Sequence, residues 1–252
     1  MHRLSIVFLA LLFLFSCNRQ LVVREVNTKN VTIGPQVAPI DSAIESIVRP
    51  YRDSIEKDMS TLVTVSPSPL VKGKPESKLT NLVTDILLDY GSSYVQKQNI
   101  NIQPDAAYTN YGGLRSSLPQ GEITVQRIFE LMPFENEIVL VEISGSAFLD
   151  MAAKIAARGG EGIAGFRMGI RNDKVGSLTI KGKAIDPQAF YWVVTSDYIA
   201  NGGDQMSMFL NPKQRINTGM KIRDELIRAL TVRYKENGVM EVKEDGRIYN
   251  EQ

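Results

Sequence analysis

Six side chains in three short loops could between them hold a flat, polar, phosphorylated ligand. They are Asn110 and Arg115 in Asn110-Tyr111-Gly112-Gly113-Leu114-Arg115, Phe134 and Asn136 in Pro133-Phe134-Glu135-Asn136, and Tyr198 and Asp204 in Tyr198-Ile199-Ala200-Asn201-Gly202-Gly203-Asp204. A guanidinium can grip phosphate or carboxylate with two bonds, and paired glycines before it let the backbone turn sharply. Phe134 and Asn136 lie two residues apart, so an extended segment gives a stacking ring and an amide the same face. Asn201-Gly202-Gly203 favours a tight turn, which brings a second ring and a carboxylate back toward one point. Such a carboxylate can accept two sugar hydroxyls. Each loop also has a plainer reading: a turn with a surface arginine, a core phenylalanine with Asn136 capping a turn, and an ordinary loop. Residue types alone leave both open, although three complementary loops are harder to dismiss than one.

The elements that must position these loops follow from periodicity. Asp41 can cap a helix over 42–59, where Ile44, Ile47, Val48, Tyr51, Ile55 and Met59 recur at helical spacing. A short strand over 61–65 and a turn-rich stretch over 66–75 come next. Leu79, Leu82, Val83, Ile86, Leu87 and Tyr90 mark a second helix, with Gly91 as its end. Further on, the pattern predicts a strand at 106–108, a helix over 124–131, a strand over 137–143 and a helix over 146–158. Strands near 165–170, 175–181 and 190–195 follow, then a long helix over 218–236. Trp192 sits in an apolar run and reads as core. Arg158-Gly159-Gly160-Glu161-Gly162 lacks the lysine and hydroxyl of a phosphate-binding glycine loop and reads as a mobile connection bordering the site. The mixture is that of an α+β, or mixed α/β, layered domain over residues 41–252.

The N-terminus reads differently. Leu4 to Phe15 is an almost unbroken apolar run, too short for a comfortable membrane span and suited to a signal-peptide core. It ends in Ser16-Cys17, which resembles a bacterial lipobox in which Cys17 is acylated and becomes the new N-terminus. An uncleaved anchor or a buried helix are the competing readings. Residues 18–40 then form a polar tether. The only histidine is His2 and the only cysteine is Cys17, so cleavage before Cys17 would leave a chain without histidine or free thiol. That excludes a Ser-His-Asp triad, a Cys-His pair, imidazole- or thiolate-based zinc and structural disulfides. A composition of 43% hydrophobic and 23% charged residues is that of a globular protein, and a formal charge of +1 gives no reason to invoke a nucleic-acid partner, which calls for a basic face.

From roughly residue 75 to 210 the chain resembles the C-terminal domain of the 5′-nucleotidase / UDP-sugar hydrolase family. The shared signals are Glu76 with Asn81-Leu82 and Asp85, then the Asn110-to-Arg115 loop, Gly121-x-Ile-Thr, Pro133-Phe134-x-Asn136, Ile143-x-Gly145 and the Tyr198-to-Asp204 loop. The resemblance implies a four-layer α/β/β/α domain that binds the nucleoside part of a nucleotide. It places the base between Phe134 and Tyr198, Asn136 at the base edge, Asp204 on the ribose hydroxyls, and Arg115 with Asn110 on the phosphate side. It implies that this chain holds no cofactor and no catalytic residue of its own. The two-metal phosphoesterase domain of the family would be a separate partner chain, with divalent metals only there. The alternative is a non-catalytic nucleotide-binding or structural surface lipoprotein. Against the family pattern, Tyr111 puts bulk beside the phosphate loop and Glu135 puts a carboxylate near the base or phosphate. The arginine common before Glu76 is absent, leaving Lys72, Lys74 and Lys78. Tyr198, phenylalanine in many relatives, keeps a stacking ring. The expected location is the bacterial cell envelope, through a lipid anchor at Cys17.

Overall fold

The computed structural model describes Val23, residues 25–30 and residues 41–251. Cys17, the leader and most of the tether lie outside the described residues. The chain divides into two units between Ile47 and Val48, within helix α1 (Ser42–Met59), none of whose residues is buried. Asp41 starts that helix by accepting from the amides of Ala43 at 2.8 Å and Ile44 at 3.3 Å, which ties off two of the free amides of the first turn.

The second unit is organised by a strand that is apolar on both faces. In β4 (Glu137–Ser144), Ile138 and Leu140 enter one core while Val139, Val141 and Ile143 enter another. Side chains alternate along a strand, so a run this uniformly apolar is stable only with both faces covered. It lies second in a five-stranded sheet whose order is β10 (Gln214–Lys221), β4, β9 (Phe190–Ser196), β2 (Ala106–Thr109) and β5 (Gly162–Ala164). One face packs on α2 (Lys78–Lys97), α3 (Val125–Leu131) and α6 (Ile222–Asn237). The other face packs on α4 (Gly145–Ala157) and on β6 (Phe166–Arg171) of a second sheet. That sheet also contains β7 (Lys174–Ile180), β8 (Lys183–Ala184) and β11 (Ile248–Asn250), in the order β11-β6-β7-β8. A two-stranded ribbon pairs β1 (Leu62–Ser66) with β3 (Gly121–Thr124). The class is mixed α/β, as the sequence leads one to expect.

Two predicted boundaries move, each for a physical reason. Helix α2 runs through Gly91 to Lys97. A Cβ at Gly91 would lie 2.5 Å from Val194 Cγ2, so this glycine lets the helix lie close on the sheet and does not end it. The last helix starts at Ile222, because residues 214–221 form edge strand β10 against β4. Its Gln214, Arg215 and Asn217 point largely to solvent, and an edge strand of that kind carries little hydrophobic signal.

This topology sets the site. β2 and β9 run parallel, with Ala107 beside Val194, so their carboxyl ends share one sheet edge. β4 is antiparallel to β9, with Ile138 opposite Ser196, so its start lies at the same edge. The loops after β2, after β9 and before β4 therefore emerge together, where parallel sheets commonly present ligand sites.

Candidate functional site

Those loops enclose a cavity of about 300 Å³ lined by Asn110, Gly112, Gly113, Arg115, Phe134, Asn136, Tyr198 and Asp204. All six residues singled out in the sequence line it. The volume is at the low end of the roughly 300–1,000 Å³ typical of small-molecule sites.

Each loop is fixed by local contacts. After β2 the chain makes a 3-10 turn over Tyr111–Gly113, closed by the Gly113 amide on the Asn110 carbonyl at 3.1 Å. Leu114 is fully buried and the Arg115 amide donates to the Leu131 carbonyl at 2.8 Å, which leaves the Arg115 side chain exposed. Its guanidinium carbon stands 6.0 Å from the centroid of the Phe134 ring. Phe134 is 46% exposed and Tyr198 44% exposed, and neither is paired with another aromatic ring among the described residues. Asp197 joins the second and third loops: its Oδ1 accepts from the Glu137 amide at 3.0 Å and the Tyr198 amide at 2.8 Å.

Asp204 is the hub. Its Oδ2 accepts from Asn110 Nδ2 and its Oδ1 accepts from the Tyr198 hydroxyl at 2.9 Å, while its own amide donates to that hydroxyl at 3.2 Å. Each carboxylate oxygen can accept more than one bond, so acceptor capacity remains for ligand hydroxyls. Tyr198 therefore does more than a phenylalanine would, because its hydroxyl ties the ring to the carboxylate.

Three expectations need correction. Glu135 is not a group of the cavity: it pairs with Lys221 and Arg223. Hydrogen bonds from Lys221 and then Arg223 hold its carboxyl down at about 2. That pairing anchors the Phe134 loop to the start of α6. Tyr111 does not line the cavity either, because its ring faces two ammonium groups, Lys72 Nζ at 4.3 Å and Lys74 Nζ at 5.1 Å from the centroid. Lys72 also donates to the carbonyls of Leu114 at 2.7 Å and Tyr111 at 3.3 Å. Burial, and then the Arg115 charge, push its pKa down. The segment Arg158–Gly162 is not a loose connection. Gly160 and Glu161 are buried, and Arg158 donates to both Glu161 and the Asp204 carbonyl.

Glu76, Asn81 and Asp85 lie apart from the cavity. Glu76 Oε1 accepts from Asn81 Nδ2 at 2.6 Å and from the Asp245 amide at 2.9 Å, and its Oε2 accepts from the Gly246 amide at 3.0 Å. Arg247 grips Asp85 with two nitrogens at 2.6 and 3.2 Å. These residues are a clamp on the segment before β11. Sequence reasoning named Lys72 and Lys74 only as the basic residues before Glu76, and Arg158 only within a stretch bordering the site, without their contacts; Arg247 it missed altogether.

Comparison with known proteins matches residues 63–211 to the model of the 5′-nucleotidase, C-terminal domain. The chain belongs to this family. A 5′-nucleotidase of Vibrio cholerae is 26% identical over 184 residues, covering 71% of this chain and 32% of that protein. Protein UshA of Escherichia coli is 28% identical over 130 residues, covering 50% of this chain and 24% of the relative. The crystal structure of a 5′-nucleotidase precursor from Thermus thermophilus superposes with a TM-score of 0.68 at 25% identity, covering 86% of this chain and 44% of that one. The chain spans about a third of the length of the first of these relatives. Among the described residues of this 5′-nucleotidase C-terminal domain, no group of three or more His, Cys, Asp or Glu side chains could hold a metal ion.

Proposed function

We propose that this chain is the nucleoside-binding half of a nucleotide phosphohydrolase, working with a metallophosphoesterase on a separate chain in nucleotide catabolism. One observation carries the reading: three loops distant in sequence deliver two exposed rings, two amides, a carboxylate and a guanidinium to a single cavity. Phe134 and Tyr198 take the faces of the base, Asn136 its polar edge, and Asp204 the ribose hydroxyls. Arg115, with Asn110 nearby, takes the phosphate side, where Lys72 adds positive charge. The partner supplies the metal ions, which polarise the phosphoryl group and activate water. This chain orients the ester and holds it dry on one side.

Calorimetric titration of the full chain in detergent with adenosine and AMP, without partner, tests the binding part. We expect micromolar binding with AMP the tighter ligand. Arg115→Ala should weaken AMP by about tenfold, as loss of a charge-assisted contact does, and leave adenosine nearly unchanged. Absence of binding by any common nucleoside or nucleotide would sink the reading. The two-chain part fails on its own terms if this chain leaves metal-dependent AMP hydrolysis by the phosphoesterase no faster.

We place the protein in the cell envelope, held by acylation of Cys17. A labelled fatty acid fed to the cells is expected to be incorporated into the wild type and not into Cys17→Ser, whose uncleaved leader should leave it longer by the leader's mass. A wild type that takes up no label and keeps the leader's mass would favour an uncleaved anchor.

A further inference from the structure

We infer that Arg158 and Glu161, in the glycine-rich stretch after α4, are positioning residues that set the direction of the Asp204 carboxylate and hence the recognition of ribose. The inference rests on the nucleoside reading above and adds residues that do not line the cavity.

Asp204 has φ +49° and ψ +36°, and Gln205 after it has φ +59°. Two consecutive left-handed residues with side chains are rare, since Cβ crowds the following carbonyl. Contacts from inside and outside the loop hold them. The loop's own bonds at these residues are the Met206 amide on the Gly203 carbonyl at 3.1 Å, the Asp204 amide on the Tyr198 hydroxyl, and that hydroxyl on Asp204 Oδ1 at 2.9 Å. Two ties come from outside the loop: Asn110 Nδ2 donates to the Asp204 carboxylate, and Arg158 holds the backbone, its Nη2 donating to the Asp204 carbonyl while its Nη1 donates to Glu161 Oε1 at 3.2 Å.

The guanidinium is itself held. Glu161 is 6% exposed, and its other oxygen accepts from the hydroxyl of fully buried Tyr108. The Tyr108 ring is in turn stacked on Phe209 at 6.5 Å and 12°. A buried carboxylate bonded on both oxygens gives a planar guanidinium one orientation. The turn that folds Glu161 back onto Arg158 needs its glycines. Gly160 has φ +110°, and a Cβ there would lie 2.2 Å from the Pro75 carbonyl oxygen. The stretch thus acts as a bracket, built with the spacing that lets residue 161 grip residue 158.

A bracket that only stabilised the fold would weaken every ligand alike, whereas one that aims Asp204 affects ligands with ribose hydroxyls. The test uses the full chain in detergent, with the best bound of adenosine, guanosine, cytidine and uridine and its 2′,3′-dideoxy counterpart. We expect Arg158→Gln to weaken the ribonucleoside by about tenfold and the dideoxy analogue less than about twofold. Glu161→Gln keeps the shape, loses the charge and should shift the ratio the same way, and it carries the test if the arginine variant does not fold. Without ligand, Arg158→Gln should speed deuterium uptake in residues 198–206 and leave β4 unchanged. Equal weakening of both ligands, or unchanged uptake in 198–206, overturns the positioning role. Faster uptake with no nucleoside bound by the wild type would instead overturn the ribose assignment and the nucleoside reading together.

Discussion

Replacing Asp204 with alanine is expected to weaken ribonucleoside binding by at least about a hundredfold, the largest effect of any single substitution in the cavity. The carboxylate joins its own loop to the first one, accepting from Tyr198 and from Asn110. Removing it deletes the acceptor for the ribose and frees the ring that stacks on the base. Hydrogen bonds to a charged group contribute about 1.5–3 kcal/mol each, so two lost to the ligand come to about 3 kcal/mol or more, a factor of about a hundred. Asp204→Asn keeps the shape and one acceptor, and should lose about tenfold. Titration of both variants beside a thermal melt separates lost binding from lost folding. Affinity within about threefold of wild type for Asp204→Ala would remove this residue from the ligand.

Arg247→Ala should show the opposite pattern, with stability lost and binding kept. The Arg247 side chain is 11% exposed and donates to Asp85, to Asp245 and to the Ile163 carbonyl. Its removal leaves Asp85, Asp245 and Glu76, the last 3.9 Å from Arg247 Nε, without their shared cation. Breaking a buried pair costs about 3–5 kcal/mol. Asp85 is 42% and Asp245 47% exposed, so water screens part of that and about 2–4 kcal/mol is the better expectation. In a domain of this size that corresponds to a melting point lower by about 10 °C. Acid should act through the same contact. Hydrogen bonds from Arg247 hold the Asp245 carboxyl below its usual value, so its contribution is present above the unfolded pKa and disappears as pH falls through the lowered one. The wild type should therefore lose stability below about pH 4, and Arg247→Ala should show a shallower acid limb. An unchanged melting point, or an unchanged acid limb, would show that the clamp is not structural.

The site was legible because its residues are chemically odd for loops: a bare arginine after two glycines, exposed rings, an aspartate after Asn-Gly-Gly. The fold was legible where burial imposes a period, as in α2, β4 and α4. It was not legible where tertiary contact decides. Gly91 carries the same symbol whether it ends a helix or admits Val194 against it, and β10 hides its pairing beneath polar edge residues. Glu135 and Tyr111 look like intruders in the sequence, yet both face cations contributed by other segments, Lys221 and Arg223 in one case and Lys72 and Lys74 in the other. Arg158 was hidden for the same reason, since its meaning lies in a carbonyl 46 positions away.

The clamp on Glu76 and Asp85 also has a bearing on synthesis. The partners of these early residues, Asp245, Gly246 and Arg247, are 162 to 170 positions downstream. A ribosome that has delivered α2, every loop of the cavity and the whole five-stranded sheet has still not delivered the donors that close the domain. Contacts of such separation form late and slow the approach to the native state. The nascent chain therefore carries every loop of the cavity before the donors that lock their scaffold have been made.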